Sequence, residues 1–213
     1  DIMRSSNESM VDVLFTIIEY RSIETGNHVM RIREYTRILL EKVMETYSEY
    51  GLTPEDVASI ASASSLHDIG KISIPDSILN KPGRLTDEEF TIMKSHAAVG
   101  RKLLKDAVEA TEHSSFLDTA IDMAGAHHEW WNGRGYPDGI SGDKIPLSAR
   151  IMAIADVFDA LVSKRVYKPG MPLEKAYAII REETGTHFDP VCVEAFFKAQ
   201  EKIERVLKSH ADD

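Results

Sequence analysis

Leu66-His67-Asp68-Ile69-Gly70-Lys71 closes an apolar run, Val57 to Leu66, that reads as a buried helix. The run ends on an adjacent imidazole and carboxylate, just before a Gly-Lys turn. Its start is equally well marked, because Thr53-Pro54-Glu55-Asp56 places a capping hydroxyl before proline at the first helical position. Working outward, Thr86-Asp87-Glu88-Glu89 is a capping box that opens a further helix carrying Met93, Lys94 and His96. Met10, Val13, Leu14, Ile17 and Ile18 recur at helical spacing, as do Ile32, Tyr35, Leu39, Val43 and Met44. Ser148 to Val162 is another apolar helix, and Asp189-Pro190 opens a last long helix towards Lys208. With no internal repeat and no low-complexity segment, the pattern predicts an all-α bundle. One stretch breaks it. Asn132-Gly133-Arg134-Gly135-Tyr136-Pro137-Asp138-Gly139, running on to Pro146, is dense in turn formers, and a loop of this length in a compact helical domain is commonly functional.

The chain has 213 residues, of which 43% are hydrophobic, enough for one domain with a real core. Its formal charge of −10 argues against a duplex nucleic-acid binder, which needs a basic face. It does not exclude a small anionic substrate, since metal ions supply a local positive field and part of the acid surplus can be their ligands. Cys192 is the single cysteine, which excludes an internal disulfide and a thiolate metal cage. It is expected to be a small buried residue. No apolar run reaches membrane-span length and no signal peptide is visible, so the expected setting is cytoplasmic. The first residue is Asp1, and a longer parent protein is expected.

There are eight histidines. Taken singly, each is an ordinary surface or core residue; their company changes that. His127-His128-Glu129 ends a helix, and adjacent histidines need polar partners if buried. Asp156 follows Ile151-Met152-Ala153-Ile154-Ala155, where a buried carboxylate needs a metal or a cation such as Arg150. Glu24 and His28 are four apart and share one helix face. His113, His187 and His210 match no ligand position. Lys81, Arg84, Lys94 and Arg101 read as surface charges, and Trp130 and Trp131 as a base-stacking wall, as packing or as a partner surface. Glu24, His28, His67, Asp68, His96, His127, His128 and Asp156 make a sulfur-free nitrogen and oxygen donor set, which suits Fe, Mn, Zn or Ni. A mononuclear catalytic site uses about three protein ligands, so this set suggests two or three ions.

The ordered blocks resemble the HD-GYP family of metal-dependent phosphohydrolases. His67-Asp68-Ile69-Gly70-Lys71-Ile72 with Ile74-Pro75-Asp76 resembles its HD signature. Leu79-Asn80-Lys81-Pro82-Gly83 and Met93-Lys94-Ser95-His96 resemble the following blocks. His127-His128-Glu129 with Gly133-Arg134-Gly135-Tyr136-Pro137 resembles the block that names the family, and Ile154 to Leu161 with Arg165, Tyr167 and Lys168 resembles the last. The resemblance runs from about Glu24 to Phe197. It implies an HD-type helical bundle, with residues 1–22 as an upstream linker or first bundle helix. Residues 23–200 would be the catalytic domain, and 201–213 the end of the last helix and an acidic tail.

It also implies a cyclic di-GMP phosphodiesterase that yields linear pGpG, with GMP as the alternative end product, by hydroxide attack on phosphorus. Two or three divalent ions, iron or manganese with nickel or zinc as alternatives, would be held by His67, Asp68, His96, His127, His128 and Asp156, with Asp68 bridging. Glu24 and His28 match the extra ligands of trinuclear members. Lys71, Arg165 and Lys168 would hold substrate phosphate, with Asp68 and Lys71 as the catalytic pair. The loop bearing Tyr136 would admit substrate and dock diguanylate cyclase (GGDEF) domains, downstream of a sensory or receiver domain. Two residues depart from the family pattern: Asn132 stands where Asp is usual, and Val166 where proline is common. The alternatives are a module that senses cyclic di-GMP or docks a cyclase without hydrolysis, and a phosphodiesterase for another cyclic dinucleotide.

Overall fold

The computed structural model describes residues 26–109, 115–163 and 170–210. The expected helix through Met10 and Ile18, and the segment 1–22, lie outside the described residues. Among those described, every regular element is helical: α1 (Gly26–Thr46), α2 (Pro54–Ala63), α3 (Asp76–Leu79), α4 (Asp87–Glu109), α5 (Ser115–Ala126), α6 (Leu147–Val162), α7 (Leu173–Glu182), α8 (Pro190–Lys198) and α9 (Gln200–Ser209). No helix among them is long and apolar enough to cross a membrane.

The helices begin where local chemistry satisfies their first amides. Thr53 accepts from the Asp56 amide while Asp56 accepts from the Thr53 amide, a reciprocal cap ahead of Pro54. Thr86 and Glu89 form the same arrangement before α4, at 3.2 and 2.7 Å. Asp189 caps α8 by accepting from the Val191 amide at 2.8 Å.

α1 runs through the middle of the bundle. Its residues Ile32, Tyr35, Leu39, Leu40 and Val43 are all fully buried, at about 1.5–3 kcal/mol for each large side chain. It packs against α2, α6, α8 and α9. Phe158 on α6 meets Tyr35 edge-on, with ring centroids 5.6 Å apart, and Phe196 on α8 at 5.1 Å. A second contact matters more for function: α4 lies along both α5 and the short 3-10 turn Ile69–Ser73. Gly70 and Gly100 permit that approach, since a Cβ on Gly70 would stand 1.9 Å from the His96 carbonyl oxygen.

Two expectations about helix extent are corrected. The run from Val57 leaves the α-helix at Ala63 and tightens into a 3-10 turn, Ser64–Leu66, where the Ser64 hydroxyl donates to the Ala61 carbonyl at 2.7 Å. The last helix is two helices. Ala199, at φ −101° and ψ 5°, ends α8, and α9 follows with Ile203 in the core.

Candidate metal centre

Five elements deliver the polar groups at the middle of the bundle. α1 brings His28, and the turn after α2 brings His67, Asp68 and Lys71. α4 brings His96, the residues just past α5 bring His127 and His128, and α6 brings Asp156. Seven of the eight expected donors fall into two groups, each with ligand atoms within 4.8 Å of one another: Asp68, His96, His127 and His128, and His28, His67 and Asp156. Glu24 lies outside the described residues. His28, His67, Asp68, His96 and His127 are buried, while His128 and Asp156 are half-buried.

Backbone carbonyls orient the rings. Nδ1 of His67 bonds the Ser64 carbonyl at 2.8 Å, Nδ1 of His96 the Met93 carbonyl at 2.7 Å, and Nδ1 of His127 the Met123 carbonyl at 2.9 Å. A carbonyl only accepts, so each Nδ1 carries its proton and each neutral ring presents the lone pair of Nε2. These nitrogens surround Asp68: Nε2 of His67 is 3.1 Å from Oδ2, and Nε2 of His96 and His127 are 3.3 and 3.7 Å from Oδ1. Lys71 Nζ is 2.6 Å from Oδ2.

This arrangement passes a test of fit to a metal. Nε2 of His96 and of His127 face each other at 3.5 Å. Two lone pairs so placed repel unless a cation or a proton lies between them. The separation also suits two nitrogens each about 2.1 Å from one ion. His67 Nε2 is buried and makes no aligned hydrogen bond, although Asp68 is near. The set is nitrogen and oxygen only, which suits a borderline divalent metal.

Electrostatics agree. Burial alone would raise the Asp68 carboxyl, but Lys71 and then His67 hold it well below the usual carboxylate range. Burial, followed by neighbouring imidazoles, pushes His127 well below the usual imidazole range and His128 to about 3, so both are neutral ligands in waiting. Burial also opposes charge on His67, yet the Asp68 carboxylate outweighs it and lifts the ring to about 9.

The long loop folds back over this cluster. The Tyr136 amide donates to the His128 carbonyl at 3.1 Å, and the Tyr136 ring stacks on His128 with centroids 4.7 Å apart. Burial, then the charge on Asp68, raises the Tyr136 phenol and keeps it protonated. Glu129 anchors the loop, its Oε1 accepting from the amides of Asp138 (2.7 Å) and Gly139 (3.1 Å). Arg101 adds a second anchor, donating to the Gly125 carbonyl at 2.7 Å and pairing with Asp138 at 2.5 Å. Arg101 is therefore a loop clamp and not the surface charge expected of it. Lys94 also differs from a plain surface charge, standing over the Phe90 and Tyr136 rings at 5.3 and 5.9 Å. Asn132 keeps the turn, because its side-chain oxygen accepts from the Arg134 amide at 3.0 Å.

Arg150 pairs with Asp189 at 2.6 Å, which removes it as the counter-ion of Asp156. Trp130 stacks on His187 with centroids 4.5 Å apart and Trp131 lies over the Arg150 guanidinium at 5.6 Å, so both are packing residues. Cys192 is fully buried beside Asp189. Arg165, Val166, Tyr167, Lys168 and His113 lie outside the described residues. Sequence reasoning assigned no role to Asp159, whose carboxylate reaches His28 Nδ1 at 2.8 Å. Its place three residues after Asp156, on the same helix face, was the available signal.

A family model described as HD domain matches residues 23–192. A cyclic di-GMP phosphodiesterase of Vibrio cholerae is 44% identical over 99% of this chain and 43% of its own length. A cyclic di-GMP phosphodiesterase of Thermotoga maritima is 40% identical over 96% of this chain and 52% of its own. A 3′3′-cGAMP-specific phosphodiesterase of Vibrio cholerae is 38% identical over 99% and 38% respectively. The chain thus spans about half the length of the curated relatives it matches or less. Among solved structures, the HDG"Y"P protein of Bdellovibrio bacteriovorus shares the fold at a TM-score of 0.59 and 19% identity, over 87% of this chain and 54% of that one.

Proposed function

The chain belongs to the HD-GYP branch of the HD-domain family, and from that premise we propose that it hydrolyses cyclic di-GMP to linear pGpG and then to GMP. The observation that carries this reading is the convergence of three carbonyl-oriented imidazoles on Asp68 beneath the Tyr136 loop.

Asp68, His96, His127 and His128 would hold one ion, and His28, His67 and Asp156 a second, with Asp68 between them and Glu24 available for a third. These donors suit iron, manganese, nickel or zinc, and the resemblance to the family favours iron or manganese among them. When bound, such ions offset phosphate charge and supply hydroxide at neutral pH. The remaining work falls to the chain's own side chains. Lys71, whose Nζ lies beside Asp68, would stabilise the non-bridging phosphate oxygens or protonate the departing ribose oxygen. Tyr136, held as a neutral phenol over His128, would donate a hydrogen bond to substrate while its loop excludes water. Arg165 and Lys168 would grip the phosphates, arginine bidentately and lysine as a point charge. The same loop is the surface proposed to meet diguanylate cyclase domains, and an upstream sensory or receiver domain would control the whole.

The test is product chromatography on anaerobically prepared protein loaded with Mn(II) or Fe(II). Appearance of pGpG and GMP is expected, and their persistent absence overturns the reading. Asp68→Ala should abolish turnover; a module that only senses or docks would show none to abolish. The identity to 3′3′-cGAMP-specific relatives motivates a second substrate reading, decided by parallel turnover of the two cyclic dinucleotides.

A further inference from the structure

We propose that Asp159, locked by Arg31, is the positioning carboxylate that sets His28 for a metal ion in the His28, His67 and Asp156 group. The inference rests on the metal-centre reading above and concerns one part of it.

Two pairs, each spaced three residues apart, face each other across the contact between α1 and α6. His28 and Arg31 come from α1, and Asp156 and Asp159 from α6. Residues three apart on a helix are neighbours on one face. One helix therefore supplies a proposed ligand, Asp156, together with the group that orients the ligand opposite. Asp159 is 1% exposed and Arg31 is 1% exposed. Asp159 Oδ1 accepts from Arg31 Nε at 2.6 Å, and Oδ2 is shared between Arg31 Nη2 at 3.1 Å and His28 Nδ1 at 2.8 Å. Arg31 is itself fixed at its far end, where Nη1 donates to the His210 carbonyl at 2.7 Å. The carboxylate thus has little freedom to turn.

A carboxylate on Nδ1 fixes both the tautomer and the plane of an imidazole and directs Nε2 to the metal. His67, His96 and His127 are oriented by neutral backbone carbonyls within their own segments. His28 alone among these four is oriented by an anion, from a different helix. An ion pair serving only to join α1 to α6 needs Arg31 and Asp159 and nothing more. The third contact, on the oxygen that also binds Arg31, is what assigns the pair to the metal centre.

The experiment titrates the metal-free 213-residue chain with Mn(II) under anaerobic conditions, counting bound equivalents and their affinities by equilibrium dialysis with elemental analysis. Wild type, His28→Ala, Asp159→Asn and the double variant Arg31→Met/Asp159→Leu are compared. The double variant removes both buried charges together, so the fold is kept should Asp159→Asn alone not fold. The expected result is a ten- to hundredfold weakening, about the range for a lost metal-orienting partner, of the equivalent that His28→Ala also weakens. Any other equivalent should weaken clearly less, by no more than the coupling the groups share through their common turn. A folded variant with wild-type affinities, or with every equivalent weakened alike, overturns the inference. Failure of wild type to bind metal would instead sink the functional reading and this inference with it.

Discussion

Gly70→Ala adds one methyl group at the point where the turn carrying Asp68 and Lys71 meets the helix carrying His96. The new Cβ would lie 1.9 Å from the His96 carbonyl oxygen, 2.6 Å from the Gly100 amide nitrogen and 2.8 Å from the His96 carbonyl carbon. All three are backbone atoms of α4, so no side chain can swing aside. The gap must widen by more than about 1 Å before the carbon and oxygen reach a tolerable contact. Overpacking of this kind costs about 1–3 kcal/mol, which a domain of this size survives. The site is less forgiving. Asp68 now sits 3.3 Å from His96 Nε2, and metal ligands tolerate only about 0.2 Å of error. A shift of about 1 Å at a reacting centre costs about a hundredfold in rate.

Gly70→Ala should therefore keep a cooperative thermal transition and a helical circular dichroism spectrum, yet lose at least a hundredfold in turnover and most of its bound metal. Gly51→Ala is the control. Gly51 adopts φ +60° beyond the turn Ser48–Tyr50, with nothing within 4 Å of its Cβ position. Alanine there costs about 1–2 kcal/mol for the left-handed conformation alone and should leave turnover unchanged. The reasoning fails if Gly70→Ala retains full metal and turnover within threefold of wild type, or if Gly51→Ala loses as much activity.

Arg150→Met should lower stability by about 3–5 kcal/mol in urea denaturation, because it strands the buried Asp189 carboxylate 2.6 Å away. Adding Asp189→Leu should recover only part of that, since Asp189 also caps α8. Arg101→Met frees Asp138 and one side of the Tyr136 loop, so KM for cyclic di-GMP should rise several-fold with metal content unchanged; equal loss of metal would refute the clamp. Metal affinity should rise with pH between about 7 and 9. His67 is lifted to about 9 by Asp68 and must shed its proton to become a ligand, which predicts a tenfold change per pH unit for that one proton (about 1.4 kcal/mol). Titration calorimetry in buffers of different ionisation enthalpy would show the released proton.

What the sequence could disclose divides along physical lines. The caps at Thr53 and Thr86 were legible because capping is local, decided within four residues. The break at Ala199 was not, because Phe196, Phe197, Ile203 and Val206 continue an apolar pattern across it, and the non-helical ψ of 5° at Ala199 appears only in the folded backbone. Ligand candidates were legible because adjacent imidazoles and carboxylates beside apolar runs are costly without a shared partner. Their supports were harder to see. Arg101 is 37 residues from Asp138, and Glu129 reaches amides 9 and 10 residues ahead, so neither role exists until the loop has folded back. Arg150 was a reasonable counter-ion for Asp156 on the same helix, but the chain brings Asp189 to it instead.

The division of donors into two groups has a consequence for how the centre assembles. His67 belongs to one group and Asp68, its neighbour in the chain, to the other. They are carried by a single turn, their side chains 3.1 Å apart, and the His67 ring meets the His127 ring at 5.2 Å between centroids. A backbone movement of that turn shifts both groups together. Burial raises the cost of leaving these groups without partners, since each polar atom has given up water. An ion seated in either group should therefore hold the shared turn and lower the ordering cost for the next. Binding of the second ion should be tighter than it would be at an isolated group. The close approach at Gly70 and Gly100 presses that turn against α4, so the same packing that sets Asp68 would also couple ions held by the two groups.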